Sequence, residues 1–345
     1  TNFCNSPYDL SPMLTASGHQ NQKQLKMMLP LHSRSLVKIS GDDASPFLQG
    51  LVTNDMKHFE NGAKTIYALF LNNKGRILYD TLIHKWGRDN NCFLIECDRK
   101  VLPNLEKHLK VYKLKRQVNV VNVSKTFKLW ALIAPENPVT DLKVDPNSEI
   151  NIFKDPRHVE LGSRVLTSSK IDKVQLLKTI CGDNVLSPDN EDGYRFLRYR
   201  LGVGEGYDDL PPGTIFPLEA NCEYLHGVSF HKGCYLGQEL LARVHFTGVV
   251  RKRIMPIQIS SKETDGLVSN CAIFINDTKK EVGKLQGVIQ DSGIALLRVK
   301  EALEAKQLKL GNLTATVHKP DWWPIEAPKD AFAKNATIEF DRKRS

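Results

Sequence analysis

The chain has 345 residues, of which 41% are hydrophobic and 25% charged, and its formal net charge is +9. A chain of this length exceeds one ordinary hydrophobic core, so two or three domains are expected, and burial alone can stabilise them without disulfide or metal staples. The longest apolar runs, such as 130–134, are far too short to cross a bilayer, so no membrane insertion is expected.

Residues 1–28 are polar and lack periodicity, which predicts a flexible N-terminal tail. Order is expected from Leu29, in a first α+β unit over 29–145. Leu36–Ile39 reads as a strand. In the segment after it, Asp42 or Asp43 can cap a helix with Phe47, Leu48 and Leu51 on one face. Residues 64–71 and 76–84 read as strands flanking the turn Asn72-Asn73-Lys74-Gly75, with glycine where positive φ is wanted. Cys92–Glu96 gives another strand, and Val101, Leu102, Leu105, Leu109 and Tyr112 show helical spacing. Strands follow at 118–123 and 128–134, and three prolines over 135–149 mark a surface loop.

A second α+β unit over 146–247 carries predicted helices at 170–180 and 191–200, then a Gly/Pro-rich segment, 202–217. From 248 to 328 the character changes to short strands with turn residues, which suggests a small β-barrel. The last segment, 329–345, reads as a flexible basic tail. Mixed strands and helices with hairpins point to the α+β class rather than a parallel doubly wound sheet.

Seven cysteines are scattered along the chain with no CxxC pair, which argues against a zinc ribbon and against a disulfide framework. Cys92 and Cys97 lie an odd number of positions apart in one strand, so they face opposite sides of the sheet. The segment 226–253 is the most informative. There Gly233 and Gly237 flank Cys234 ahead of helix formers that start at Gln238. This predicts a tight turn presenting Cys234 just before a helix N-terminus, where the helix dipole and nearby Lys232 would favour the thiolate. A thiolate there can be a nucleophile or a metal ligand, whereas many free cysteines are simply small buried residues.

The run Lys232-Gly233-Cys234-Tyr235-Leu236-Gly237-Gln238-Glu239, with Arg243 beyond it, resembles the signature of the YgfZ group of the aminomethyltransferase-like, folate-binding family. The likeness extends to Gly75-Arg76 ahead of Asp80, to Arg200-x-Gly202-Val203 and to Pro217-Leu218-Glu219. The closing Pro320-Asp321-Trp322-Trp323-Pro324 resembles the animal mitochondrial members. The resemblance implies an aminomethyltransferase-like fold, with two interlocking α+β units around a central hole and a C-terminal β-barrel. It implies an assembly factor for 4Fe–4S clusters in the mitochondrial matrix, a compartment whose alkalinity suits a basic chain. Cys234 would be an iron–sulfur ligand to a 2Fe–2S cluster shared with an A-type carrier protein. A 2Fe–2S cluster takes four ligands, and this chain offers one well-placed cysteine, since the signature does not call for Cys222.

The second reading is a folate-dependent one-carbon (aminomethyl) transferase, with Asp80, Glu160 and Arg243 contributing to a pocket for tetrahydrofolate. The aminomethyltransferases place paired acids at the last two positions of the Gly75–Asp80 stretch. Tyr79-Asp80 keeps only one of them, which counts against one-carbon transfer. The basic stretch Lys107, Lys110, Lys113, Lys115 and Arg116 reads as a solvated helix face without a recognition module, so nucleic acid is not an expected partner. Trp322 and Trp323, hemmed by prolines, are expected to pack against the barrel.

Overall fold

The computed structural model describes residues 26–87, 91–134, 149–180, 185–264 and 266–324. β1 (Lys26–Pro30) and β2 (Arg34–Ser40) lead to a short helix α1 (Ala44–Gln49), then β3 (Thr65–Leu71), β4 (Ile77–Lys85) and β5 (Cys92–Asp98). Helix α2 (Leu102–Lys113), β6 (Asn119–Asn122) and β7 (Phe127–Ile133) complete the first part. Beyond residue 148 come β8 (Ile150–Lys154), β9 (Ser163–Ser168), α3 (Lys173–Ile180), β10 (Val185–Leu186), α4 (Asp192–Leu201), α5 (Gly206–Asp209) and α6 (Gln238–Thr247).

These strands form two five-stranded sheets, ordered β3-β4-β5-β2-β6 and β10-β1-β7-β9-β8. The chain crosses from the second sheet to the first between β1 and β2, and returns between β6 and β7. This double crossing is how the two α+β units interlock. Alternate side chains of the same strands feed different cores, as the period of two requires. In the first sheet Ile66, Ala68, Phe70, Ile95 and Cys97 face α1 and α2, whereas Tyr67, Leu69, Leu82 and Leu94 face a core shared with the second sheet. That sheet sends Leu29, Ala131 and Leu166 into the shared core, and Met28, Trp130 and Val165 toward Leu176 of α3. Cys97 is buried among the first set and half-buried Cys92 packs on the shared core, on opposite faces as their spacing requires.

The third body is a closed six-stranded barrel ordered β11-β14-β13-β12-β15-β16, made of β11 (Lys252–Ile259), β12 (Ala272–Ile275), β13 (Glu281–Ile289), β14 (Ser292–Arg298), β15 (Leu308–Leu310) and β16 (Leu313–Val317), with α7 (Val299–Glu304) after β14. Pairing of β11 with β16 closes it. Trp323 packs in the barrel core and the Trp322 indole donates to the Leu201 carbonyl at 2.9 Å, so both tryptophans pack as their prolines suggest.

Three expectations change. Lys26, Met27 and Met28, read as tail, belong to β1, because β7 supplies the hydrogen bonds that their own sequence does not advertise. Helix α1 stops at Gln49, before Gly50, so Leu51 is buried outside it. Asp43 stands at its N-cap without a side-chain cap bond and instead accepts from Gln117 N at 2.7 Å. The expected loop over 135–149, apart from Glu149, and the tail at 329–345 lie outside the described residues.

Candidate functional site

The segment 231–237 is a loop held at both ends. On one side Lys232, 8% exposed, points its ammonium at three backbone carbonyls at and beyond the end of α1: Gln49 at 2.8 Å, Val52 at 2.6 Å and Asn54 at 2.9 Å. A helix end leaves carbonyls without partners, and an ammonium has three donors, so the match is complete. The ammonium also lies 4.8 Å from the centre of the buried Tyr235 ring. Leu236 N donates to the Gly50 carbonyl at 3.2 Å.

On the other side, Gly237 takes φ +81° at the start of α6 and lies against the β3–β4 turn, where Gly75 takes φ +70°. A Cβ on Gly237 would stand 2.7 Å from Leu71 Cβ and would run into the Asn72 carbonyl. A Cβ on Gly75 would meet the Gly237 carbonyl at 3.1 Å. The turn itself is held by the Asn72 side chain, which accepts from Lys74 N and Arg76 N. Arg76 donates to the Thr214 carbonyl, and its guanidinium sits 4.1 Å over the Phe216 ring. Gln238 closes the loop by accepting from Tyr235 N at 3.3 Å, and the Phe230 and His245 rings stack at 3.5 Å.

Between these two clamps Cys234 is exposed, four positions before the first residue of α6. It is the one exposed cysteine among the described residues: Cys97 and Cys222 are buried, Cys92 and Cys271 half-buried. Burial pushes the Cys97 and Cys222 thiols well above their ordinary range, which suits packing rather than ligation. The expected role of Lys232 is corrected. Burial lowers its ammonium to about 8, and its donors are spent on carbonyls, so it anchors the loop instead of partnering the thiolate. Gly233 has open space around its Cβ position, Glu239 is exposed, and Arg243 pairs with Glu239 at 2.7 Å on the surface of α6.

Asp80, Glu160 and Arg243 share no hydrogen bond or ion pair with one another among the described residues. Glu160 and Arg243 are exposed on separate elements, and Asp80 is buried between the sheets. Asp80 accepts from Gly206 N at 3.0 Å and from Arg34 Nη1 at 3.4 Å. Burial pushes its carboxyl up, Arg34 offsets part of that, and neighbouring Glu205 adds to it. It is one member of an ionic network that local sequence reading missed. Arg34, Arg157, Arg164 and Arg198 interlace there with Asp80, Glu96, Asp155, Glu205 and Asp209. The signal for it was the charged residues at even positions in β2, β4, β5 and β9, in register with the apolar residues that face the shared core.

Comparison with known proteins defines the class first. The fold matches the glycine cleavage system aminomethyltransferase T of Bartonella henselae with a TM-score of 0.68 over 87% of each chain, at 14% identity. The family model of the GCVT N-terminal domain matches residues 16–138, and that of the CAF17 C-terminal beta-barrel domain matches 251–325. Together these describe an aminomethyltransferase-like body with a C-terminal barrel. More narrowly, the chain belongs to the IBA57 family. It is 36% identical to the mouse mitochondrial iron-sulfur cluster assembly factor IBA57, over 86% of this chain and 85% of that one. It is 34% identical to the human protein of the same name, over 85% and 84%, and 33% identical to the Dictyostelium discoideum homolog, over 75% and 69%.

Proposed function

We propose that this chain is an iron–sulfur cluster assembly factor of the mitochondrial matrix, in which Cys234 supplies one ligand to a 2Fe–2S cluster held jointly with an A-type carrier protein during late 4Fe–4S maturation. The observation that carries this reading is the isolation of Cys234: a clamped, exposed loop presents one thiol. No group of three or more His, Cys, Asp or Glu among the described residues is arranged to hold a metal. A cluster that takes four ligands would therefore draw the others from a partner. On binding, the Cys234 thiol gives up its proton and its sulfur joins one iron, so the cluster is cargo at an interface rather than a resident group. The relatives' names support the assembly role and the mitochondrial setting. No described helix is long and apolar enough to cross a membrane. One-carbon transfer draws no support from Asp80, whose carboxylate is engaged by Arg34 and Gly206.

The test is anaerobic cluster reconstitution of this protein mixed with an A-type carrier, read by visible absorption and size-exclusion chromatography. A coloured heterocomplex should form with the wild type and disappear with Cys234→Ala. A mutant that still forms the coloured complex would sink the proposal.

A further inference from the structure

Away from Cys234, a pocket of about 350 Å³ opens at the seam where the chain crosses between its two sheets. The β1–β2 turn forms one wall and the start of β7 another, so the pocket touches both crossings at once. Its lining holds five cationic side chains, Arg34, Arg99, Lys125, Lys128 and Lys173, and no aspartate or glutamate. Two of the five are already engaged: Arg34 with Glu96 and Asp80, and Lys173 with Asp189. Arg99, Lys125 and Lys128 are exposed and form no ion pair among the described residues; Lys128 donates only to the Ile171 carbonyl at 3.3 Å. Two buried polar atoms on lining residues, Arg34 Nη2 and Ser35 Oγ, have no hydrogen-bond partner among the described residues. Leu31, Phe127, Leu129 and Trp130 supply an apolar wall.

Like charges gathered around a low-dielectric concavity focus a positive potential there. The volume falls at the small end of the roughly 300–1,000 Å³ typical of ligand pockets. An apolar wall beside cations suits a ligand with an apolar body and an anionic head, and a concavity of this size suits a small molecule rather than a polymer. We propose that the seam pocket binds a small amphipathic anion, with a carboxylate or phosphate head at Arg99, Lys125 and Lys128 and an apolar body against Trp130. Such a ligand would tie the two sheets together at both crossings, and its binding would raise the stability of the folded chain by mass action.

The full chain is titrated by calorimetry with phenyl phosphate, with benzoate and with neutral benzyl alcohol, and its melting temperature is followed in parallel. At least one anion should saturate and raise the melting temperature, the alcohol should do neither, and added salt should weaken the anion. Whichever anion saturates identifies the head group. Arg99→Glu with Lys125→Glu should weaken binding at least tenfold without lowering the melting temperature of the free protein, because neither side chain has a partner to lose among the described residues. The single exchange Lys128→Gln should weaken it in the same direction. Cys234→Ala should leave it unchanged, which separates this site from the cluster reading. The proposal is overturned if neither anion saturates, if benzyl alcohol binds as well, or if the charge-reversed protein keeps the wild-type affinity.

Discussion

Lys232 shows how one side chain can hold the thiol-bearing loop while doing none of its chemistry. Its ammonium replaces the water that three carbonyls at and beyond the end of α1 would otherwise need. Lys232→Met keeps much of the stem's packing and removes the donors, which leaves buried acceptors unsatisfied at a cost of about 1–3 kcal/mol. The variant should therefore show a lower urea midpoint and a reduced yield of heterocomplex, although Cys234 is intact. The pH dependence has a definite sign. Burial lowers this lysine from its ordinary 10.5 to about 8, so between those values the unfolded chain binds the proton that the folded one has released. Stability of the wild type relative to Lys232→Met should rise with pH across that window, as paired denaturation curves at pH 7.5 and 10 would show. Cys234 is exposed, so Cys234→Ser should change stability by no more than about 0.5 kcal/mol.

At the scale of elements, the site depends on α6 and the β3–β4 turn approaching through two glycines. Gly237→Ala places a methyl against Leu71 and the Asn72 carbonyl in a backbone conformation that alanine resists, at a cost of about 1–3 kcal/mol. Gly233→Ala, three residues before the close contact's start at Leu236–Gly237, meets open space and should be near neutral. Comparing the urea midpoints of the two variants separates a packing role for Gly237 from a general intolerance of the loop. The turn was legible in the sequence because Asn72-Asn73-Lys74-Gly75 carries its own chemistry, and the barrel strands were legible because alternation and turn residues recur there. β1 was not, since KMMLP has no alternation and gains its strand character from β7. The octapeptide located the site, but the partners of Lys232 lie 178 to 183 positions away, and no local pattern reports such a distance. For the same reason nothing near Asp80 in the sequence announces the arginine that holds it, which stands at the start of β2, 46 positions away.

The whole molecule turns on the core shared by the two sheets, where the ionic network lies among Tyr67, Leu82, Leu94 and Leu166. The barrel docks on this body through α4, and the Trp322 indole ties the end of the barrel to the last turn of that helix. Burial alone would push Glu205 and Glu96 up. Arg157, Arg164, Arg34 and Arg198 around Glu205 outweigh it, as do Arg164, Arg34 and His84 around Glu96, so both carboxyls are held well below the usual range. A depressed carboxylate contributes stability above its unfolded value of 4.5 and loses it as pH falls below that. Asp80, shifted upward, works in the opposite sense: it is most favourable in acid, and its contribution declines as pH rises through its folded value. The urea midpoint of the wild type should therefore fall steeply below about pH 4.5. Glu205→Gln leaves buried arginines short of a counter-charge and should cost about 3–5 kcal/mol at pH 7. Because the lost group is one of those that titrate, the same variant should show a flatter decline between pH 5 and 3. Asp80→Asn removes the member that burial already disfavours as an anion, so it should cost less at pH 7 than Glu205→Gln; because it also removes a group that gains stability in acid, it should make the acid decline steeper than in the wild type. Equal pH profiles for Glu205→Gln and the wild type would mean that the network does not set the acid limit of this fold.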